Sequence, residues 1–209
     1  MRRRLTGRFE VSVAGLLLLA AGCASSGVNM KEPMRLVGTE NGVRIDAQIT
    51  GDSIGTNTPI PVTWSLANST SEPIAVAELD PVTSYDRATQ TVVIELGSEV
   101  PGNELVPRLV AIAPGEKKDF SGAARVTVVM PLGAEHFAYP RYVRIKVNFL
   151  RQIDPFTKLI GIPERAIHDP QLADELFKSW VEHNDTITTN EVPIIWKGGP
   201  PSRNPIPQP

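Results

Sequence analysis

The chain has 209 residues, of which 41% are hydrophobic and 21% charged, with a formal net charge of −2. That balance suits one folded domain with appendages, excludes wholesale disorder and offers no basic field to hold a nucleic-acid backbone. A single cysteine excludes an intrachain disulfide, and one long apolar run, confined to the N-terminus, excludes a multi-span membrane protein.

Residues Met1 to Cys23 have three parts. Arg2, Arg3, Arg4 and Arg8 form a cationic head, Val11 to Ala21 is apolar except for Ser12 and Gly15, and Ala20-Ala21-Gly22 leads to the lone Cys23. An apolar run of about 11 residues is too short to cross a hydrocarbon core of roughly 30 Å, and it fits a secretory leader with a cleavage site. Leu19-Ala20-Ala21-Gly22-Cys23 resembles the lipobox of bacterial lipoproteins, although their usual larger aliphatic residue three places before the cysteine is here Ala20. The resemblance implies that residues 1–22 are a signal peptide and that Cys23 is acylated, becomes the new N-terminus and binds membrane lipid. Ala24, where an aspartate often retains such proteins at the inner membrane, implies the outer membrane, facing the periplasm, or, in a cell with a single membrane, the outer leaflet of that membrane. Loss of residues 1–22 removes four arginines and Glu10 and leaves a net charge of −5, so the lipid must do the anchoring.

Residues 23–39 read as a flexible tether, because Ser25, Ser26 and Gly27 offer no packing face. The folded unit is expected over 40–197. Within it the dominant period is two. Ile60 to Leu66 and Tyr142 to Phe149 alternate apolar with small or polar residues, and further strands are expected at Val43–Ile49, Ile74–Leu79, Thr91–Leu96, Leu109–Ile112, Arg125–Met130 and Ile187–Trp196. Polar and Pro-Gly turns separate them, at Gly51-Asp52, Asn68-Ser69-Thr70, Pro101-Gly102-Asn103 and Pro114-Gly115. Seven or eight short strands without intervening helices predict an all-β antiparallel sandwich, with Trp64 on an inward position.

Two local patterns extend this reading. Leu66-Ala67-Asn68-Ser69-Thr70 ends one strand, and Ala113-Pro114-Gly115-Glu116 leads through Phe120 into another edge. Together they resemble bacterial immunoglobulin-like domains, including small periplasmic modules and proteinase-inhibitor-like sandwiches. The likeness covers roughly 60–150 and implies fold rather than activity. Asn68-Ser69-Thr70 also matches a glycosylation sequon, but in an exported bacterial chain it reads as a turn.

A 36-residue stretch, 151–186, stands where a sandwich needs only a short connection, directly before the last strand. Asp169 is a good N-cap and Pro170 suits the first helical turn. Leu172, Ala173, Leu176, Phe177, Trp180 and Val181 recur at spacings of three and four, so this insertion is helical with an apolar stripe. Upstream, Phe156, Leu159, Ile160 and Ile162 form a second apolar cluster. The insertion either caps an open end of the sandwich or docks an envelope protein partner. In the second case Phe156, Phe177 and Trp180 are the contact residues, since large aromatics dominate interface energetics. Residues 198–209 read as a Pro-rich extended tail.

No Gly-x-Ser-x-Gly elbow, phosphate loop or dinucleotide fingerprint occurs. His136, His168 and His183 are far apart, and none has a second histidine at ligand spacing. His168 and His183 with Asp169 or Asp185 could meet only through folding. No cofactor, no metal site and no catalytic residues are expected. The sequence points to a non-enzymatic envelope lipoprotein acting as a binding, adapter or structural module. Two alternatives remain. One is a proteinase-inhibitor-like or ligand-binding sandwich with Asp80 to Gln90 as its reactive loop; the other is a hydrolase in which a histidine and carboxylates converge.

Overall fold

Alternation decides most of the strands. In the computed structural model, which describes residues 34–51, 53–97, 105–126, 138–163, 165–166 and 168–197, β1 is Met34–Glu40, β2 Val43–Ile49, β3 Ser53–Gly55, β4 Pro59–Asn68 and β5 Ile74–Ala77. They are followed by β6 Val82–Asp86, β7 Thr91–Leu96, β8 Leu105–Val106, β9 Leu109–Ile112, β10 Lys117–Arg125 and β11 Tyr142–Leu150. A 3-10 helix at Asp154–Leu159, β12 Arg165–Ala166 and helix α1 Pro170–His183 form the insertion. The chain closes with β13 Asn184–Thr188, β14 Val192–Pro193 and β15 Ile195–Lys197.

The result is mostly β. A four-stranded sheet in the order β1-β2-β4-β10 faces a larger sheet in which β11 is central. Along one side of β11 run β7, with β6 outside it, and then β5 with β9; along the other side run β14 and β13. Inward residues of both sheets make one core: Leu36, Ile45, Ile49, Val62 and Leu66 meet Val92, Ile94, Val143, Ile145, Val147 and Phe149. Trp64 is buried there, as its inward position predicts, and stacks on its cross-strand partner Phe120 with ring centroids 4.2 Å apart.

The sheets are joined along both borders. Backbone N–H of Val37 donates to Asn190 Oδ1 at 2.7 Å, and Asn190 N–H donates back to the Val37 carbonyl at 3.1 Å. This side-chain and backbone pair occupies the exposed ladder of β1. Gly38 allows the approach, because a Cβ there would lie 2.7 Å from the Thr188 carbonyl oxygen. On the opposite border Thr83 Oγ1 donates to the Arg125 carbonyl at 2.7 Å.

Several expectations need correction. The expected tether 23–39 is too long, because Met34 already begins β1; Met34 and Leu36 point inward, but Val37-Gly38 interrupts the alternation that would have revealed it. Asp80 to Gln90 is not a free loop, because Val82–Asp86 pairs with β7 in a hairpin. Lys117–Arg125 is a strand whose inward face is Lys118, Phe120, Gly122 and Ala124, too weakly apolar to read from sequence. The sheets are not purely antiparallel, since β7 runs parallel to β11 and β15 parallel to β3. The expected strand Ile187–Trp196 is divided, because Pro193 ends the pairing on β11 and the chain crosses to β3. Residues 127–130, Cys23, His136 and the tail 198–209 lie outside the described residues.

One residue ties the two sheets at their turn-bearing end. Asn68 closes β4 and is 1% exposed. Its Nδ2 donates to the carbonyls of Glu72 at 2.8 Å and Ile112 at 3.0 Å, and its Oδ1 accepts from Thr70 N–H at 2.9 Å and Thr70 Oγ1 at 2.7 Å. Its backbone accepts from Gly115 N–H at 2.7 Å and donates to the Glu116 carbonyl at 2.9 Å. The two turn motifs, far apart in sequence, therefore form a single knot. An amide is the only side chain of this size that supplies two donors and two acceptors. Asn68→Ala strands buried polar groups and is expected to cost roughly 3 kcal/mol. Asn68→Asp loses both donors and is expected to be comparably destabilised. Urea unfolding checks both.

Candidate functional site

The insertion builds a second core on the outer face of the large sheet. Along β5, Ile74 and Val76 point into the sandwich while Ala75 and Ala77 point out. Leu109 and Leu150 share that outer face, and Phe156, Leu159 and Trp180 cover all four. The two alanines leave room for the rings, and Phe156 meets Trp180 edge to face with centroids 5.7 Å apart. Asp169 caps α1 as expected, its carboxylate accepting from Gln171 N–H at 3.0 Å and Leu172 N–H at 3.4 Å, with Pro170 in the first turn.

This arrangement corrects two of the three expected contact residues. Phe156 and Trp180 are 1% and 2% exposed, so both are packed away from any partner, whereas Phe177 is half-buried and keeps part of its ring open to solvent. The insertion is core, but it lies on a sheet face rather than across an open end. The apolar stripe is wider than the buried strip. Ala173 and Trp180 are buried, while Leu172 at 46% and Val181 at 53% remain exposed. Nine residues apart, at about 100° each, they sit on opposite flanks of the helix and make no common patch. Phe156→Ala or Trp180→Ala is expected to cost about 3–5 kcal/mol, whereas Leu172→Ala and Val181→Ala should change stability by no more than about 0.5 kcal/mol. Thermal unfolding of the four variants checks this.

Two surface depressions are lined by described residues, mostly polar. The first, about 670 Å³, lies on the outer face of the four-stranded sheet, where adjacent registers bring together Arg35, Gln48, Thr63 and Ser121, then Asp46, Ser65 and Asp119, with Lys117 at the margin. Arg35 grips Asp46 with two parallel hydrogen bonds, Nε to Oδ1 at 2.9 Å and Nη2 to Oδ2. Ser65 Oγ donates to the Asp46 carbonyl at 3.4 Å. The surface offers hydroxyls, an amide and both charges, and the residues that line it include no histidine to activate a serine.

The second depression, about 620 Å³, lies beside the second core and is lined by Glu72, Pro73, Arg151, Gln152, Ile153, Asp154, Glu182 and His183. A histidine and three carboxylates thus share one cleft, which is the convergence a hydrolase requires. They are not coupled there. Among the described residues the His183 ring makes no hydrogen bond, and Arg151 is engaged with backbone, its N–H donating to the His183 carbonyl at 3.0 Å and Nη2 to the Glu182 carbonyl at 3.4 Å. His168 is exposed, and no group of three or more His, Cys, Asp or Glu residues is arranged to hold a metal ion among the described residues. Also among the described residues, no helix is long and apolar enough to cross a membrane.

The Arg35 hydrogen bonds hold the Asp46 carboxyl below the usual carboxylate range, against a smaller opposing effect of burial. A depressed carboxylate stabilises the fold above its unfolded value of about 3.9 and loses that contribution as pH falls through its folded value. Arg35→Ala should therefore lower the urea midpoint at pH 7, and the gap from the parent should close as the buffer is acidified through the Asp46 titration. A gap that persists in acid would assign the effect to packing of the arginine stem.

No protein-family model, curated protein or solved structure matches the chain.

Proposed function

We propose that this chain is a lipid-anchored envelope lipoprotein whose immunoglobulin-like sandwich serves as a non-enzymatic binding or adapter module. The observation that carries the reading is the lone cysteine: Cys23 follows at once on a cationic head, a short apolar run and three small residues. A cysteine in that position is processed and acylated in the proteins it resembles, and acyl chains hold an acidic body at a membrane that its own charge would not seek. The destination is the outer membrane, on its periplasmic side.

The immunoglobulin-like reading draws support from the knot at Asn68. The two turn motifs that suggested it act as one unit, linking the paired crossovers β4–β5 and β9–β10 between the sheets. Within Asp80–Gln90, the reactive loop of the inhibitor alternative, Val82–Asp86 is paired with β7 and only the turn that follows is open.

Expression of the full chain with Cys23→Ser tests the reading. Wild type is expected to yield an N-terminal peptide that begins at Cys23 and carries acyl mass, and to partition into detergent. The variant should retain residues 1–22 and carry no acyl group. Cleavage of the variant directly after Gly22 would instead indicate an ordinary secretory leader.

A further inference from the structure

The two terminal segments leave the sandwich at the same end. Met34 pairs with Ile49, at the end of the four-stranded sheet that leads into β3, and Lys197 pairs with Gly55 of β3 itself. The turn Asp86–Thr91 and Arg141 belong to this end as well, because Arg141 N–H donates to the Gln90 carbonyl and Ile194 N–H to the Arg141 carbonyl. The Asn68 knot and the His183 cleft stand at the opposite end.

Charge is divided between the ends. Arg87, Arg125, Arg141 and Lys197 are exposed at the terminal end, and none makes an ion pair among the described residues. Arg125 Nη1 donates to the Asn57 carbonyl at 3.2 Å. Two acids described at this end, Asp86 and Glu191, are engaged by Arg144 at 3.9 and 3.2 Å. The far end carries Glu40, Glu72, Glu116, Asp154, Glu182 and Asp185, answered in part by Arg44, Arg151 and the Lys117-Lys118 pair. The chain is acidic overall, yet its described residues present a cationic rim where its ends emerge.

We propose that this rim is a docking surface for a bilayer bearing anionic lipid headgroups, so that the Asn68 knot and the His183 cleft point away from the membrane. The inference rests on the anchored reading above. Ten residues lie between Cys23 and Met34, at most about 40 Å of extended chain. The tether is short enough to keep the body within reach of the surface and long enough to let it turn. Each lysine or arginine near an anionic surface is worth on the order of fivefold in attraction, screened beyond a Debye length of about 8–10 Å. Four at one end and carboxylates at the other orient the body with the rim down.

The test reconstitutes the full-length acylated protein into vesicles of phosphatidylcholine alone and vesicles that also contain phosphatidylglycerol. Amide hydrogen exchange is followed at Asn57–Thr58 and Arg87–Gln90 on the rim and at Asn41–Gly42 on the far end. Exchange at the two rim turns should slow several-fold on the phosphatidylglycerol vesicles only, with Asn41–Gly42 unchanged. Replacing all four cations by glutamine should abolish the slowing. The single exposed variants Arg87→Gln and Lys197→Gln should each weaken it, which keeps the test independent of whether the fourfold variant folds. Slowing on both vesicle types, on neither, or at the far end instead overturns the inference. A high-salt wash made after the exchange comparison separates the two readings: retention with equal exchange rejects the rim and keeps the anchor, whereas release rejects the anchor whatever the exchange shows.

Discussion

The two sheets are joined at Asn68 by a balance between burial and hydrogen bonding. A primary amide enclosed almost completely by protein is costly unless every donor and acceptor is met. Here all four are met, by groups that belong to the turn after β4 and to the end of β9. Those two segments carry the chain from one sheet toward the other in opposite directions. Fixing them to one side chain fixes the spacing of the layers, and the facing apolar residues can then fill that gap at the density of a protein interior. The geometry also closes a functional question, since an asparagine whose amide hydrogens are both engaged with backbone is not presented to a modifying enzyme in the folded state.

Much of this was readable from residues alone. Strands β2, β4, β7 and β11 alternate strongly enough that their inward faces are the observed ones. Asp169 and Pro170 marked the start of α1 to the residue. What escaped had physical reasons. The inward face of β10 is a lysine stem, a phenylalanine, a glycine and an alanine, a mixture that no hydrophobic period detects. β6 exposes Val82 and turns polar residues to both sides, so it resembles a loop. Parallel pairing of β7 with β11 depends on long-range placement, which spacing within a strand does not encode.

The second core shows how a local reading can be right in composition and wrong in geometry. The stripe on α1 identified a helix with one apolar side, but not what lay beneath it. The signal was in the strands. Ile74-Ala75-Val76-Ala77 is apolar on both faces, and Phe149-Leu150 places large residues in succession at the end of β11. Strands of that kind are covered from both sides. Reading them together with the insertion would have seated Phe156 and Trp180 on the outer face of the sheet rather than at an interface. Net charge misled in a similar way: an average over the whole chain hides a polarity between its two ends that follows only once the strand registers are known.

The pairing of β1 has a mechanical meaning. Seven residues of this strand lie antiparallel to β2, and Asn190 grips its other side at Val37. A pull applied at Met34, in line with the strand and resisted at the opposite end of the body, stretches the ladder lengthwise. The interstrand bonds then carry the load together in shear, instead of opening one after another as in a zipper. A body towed by its first strand in this direction yields only when several bonds fail at once, so the same strand that begins the fold also strengthens it against force.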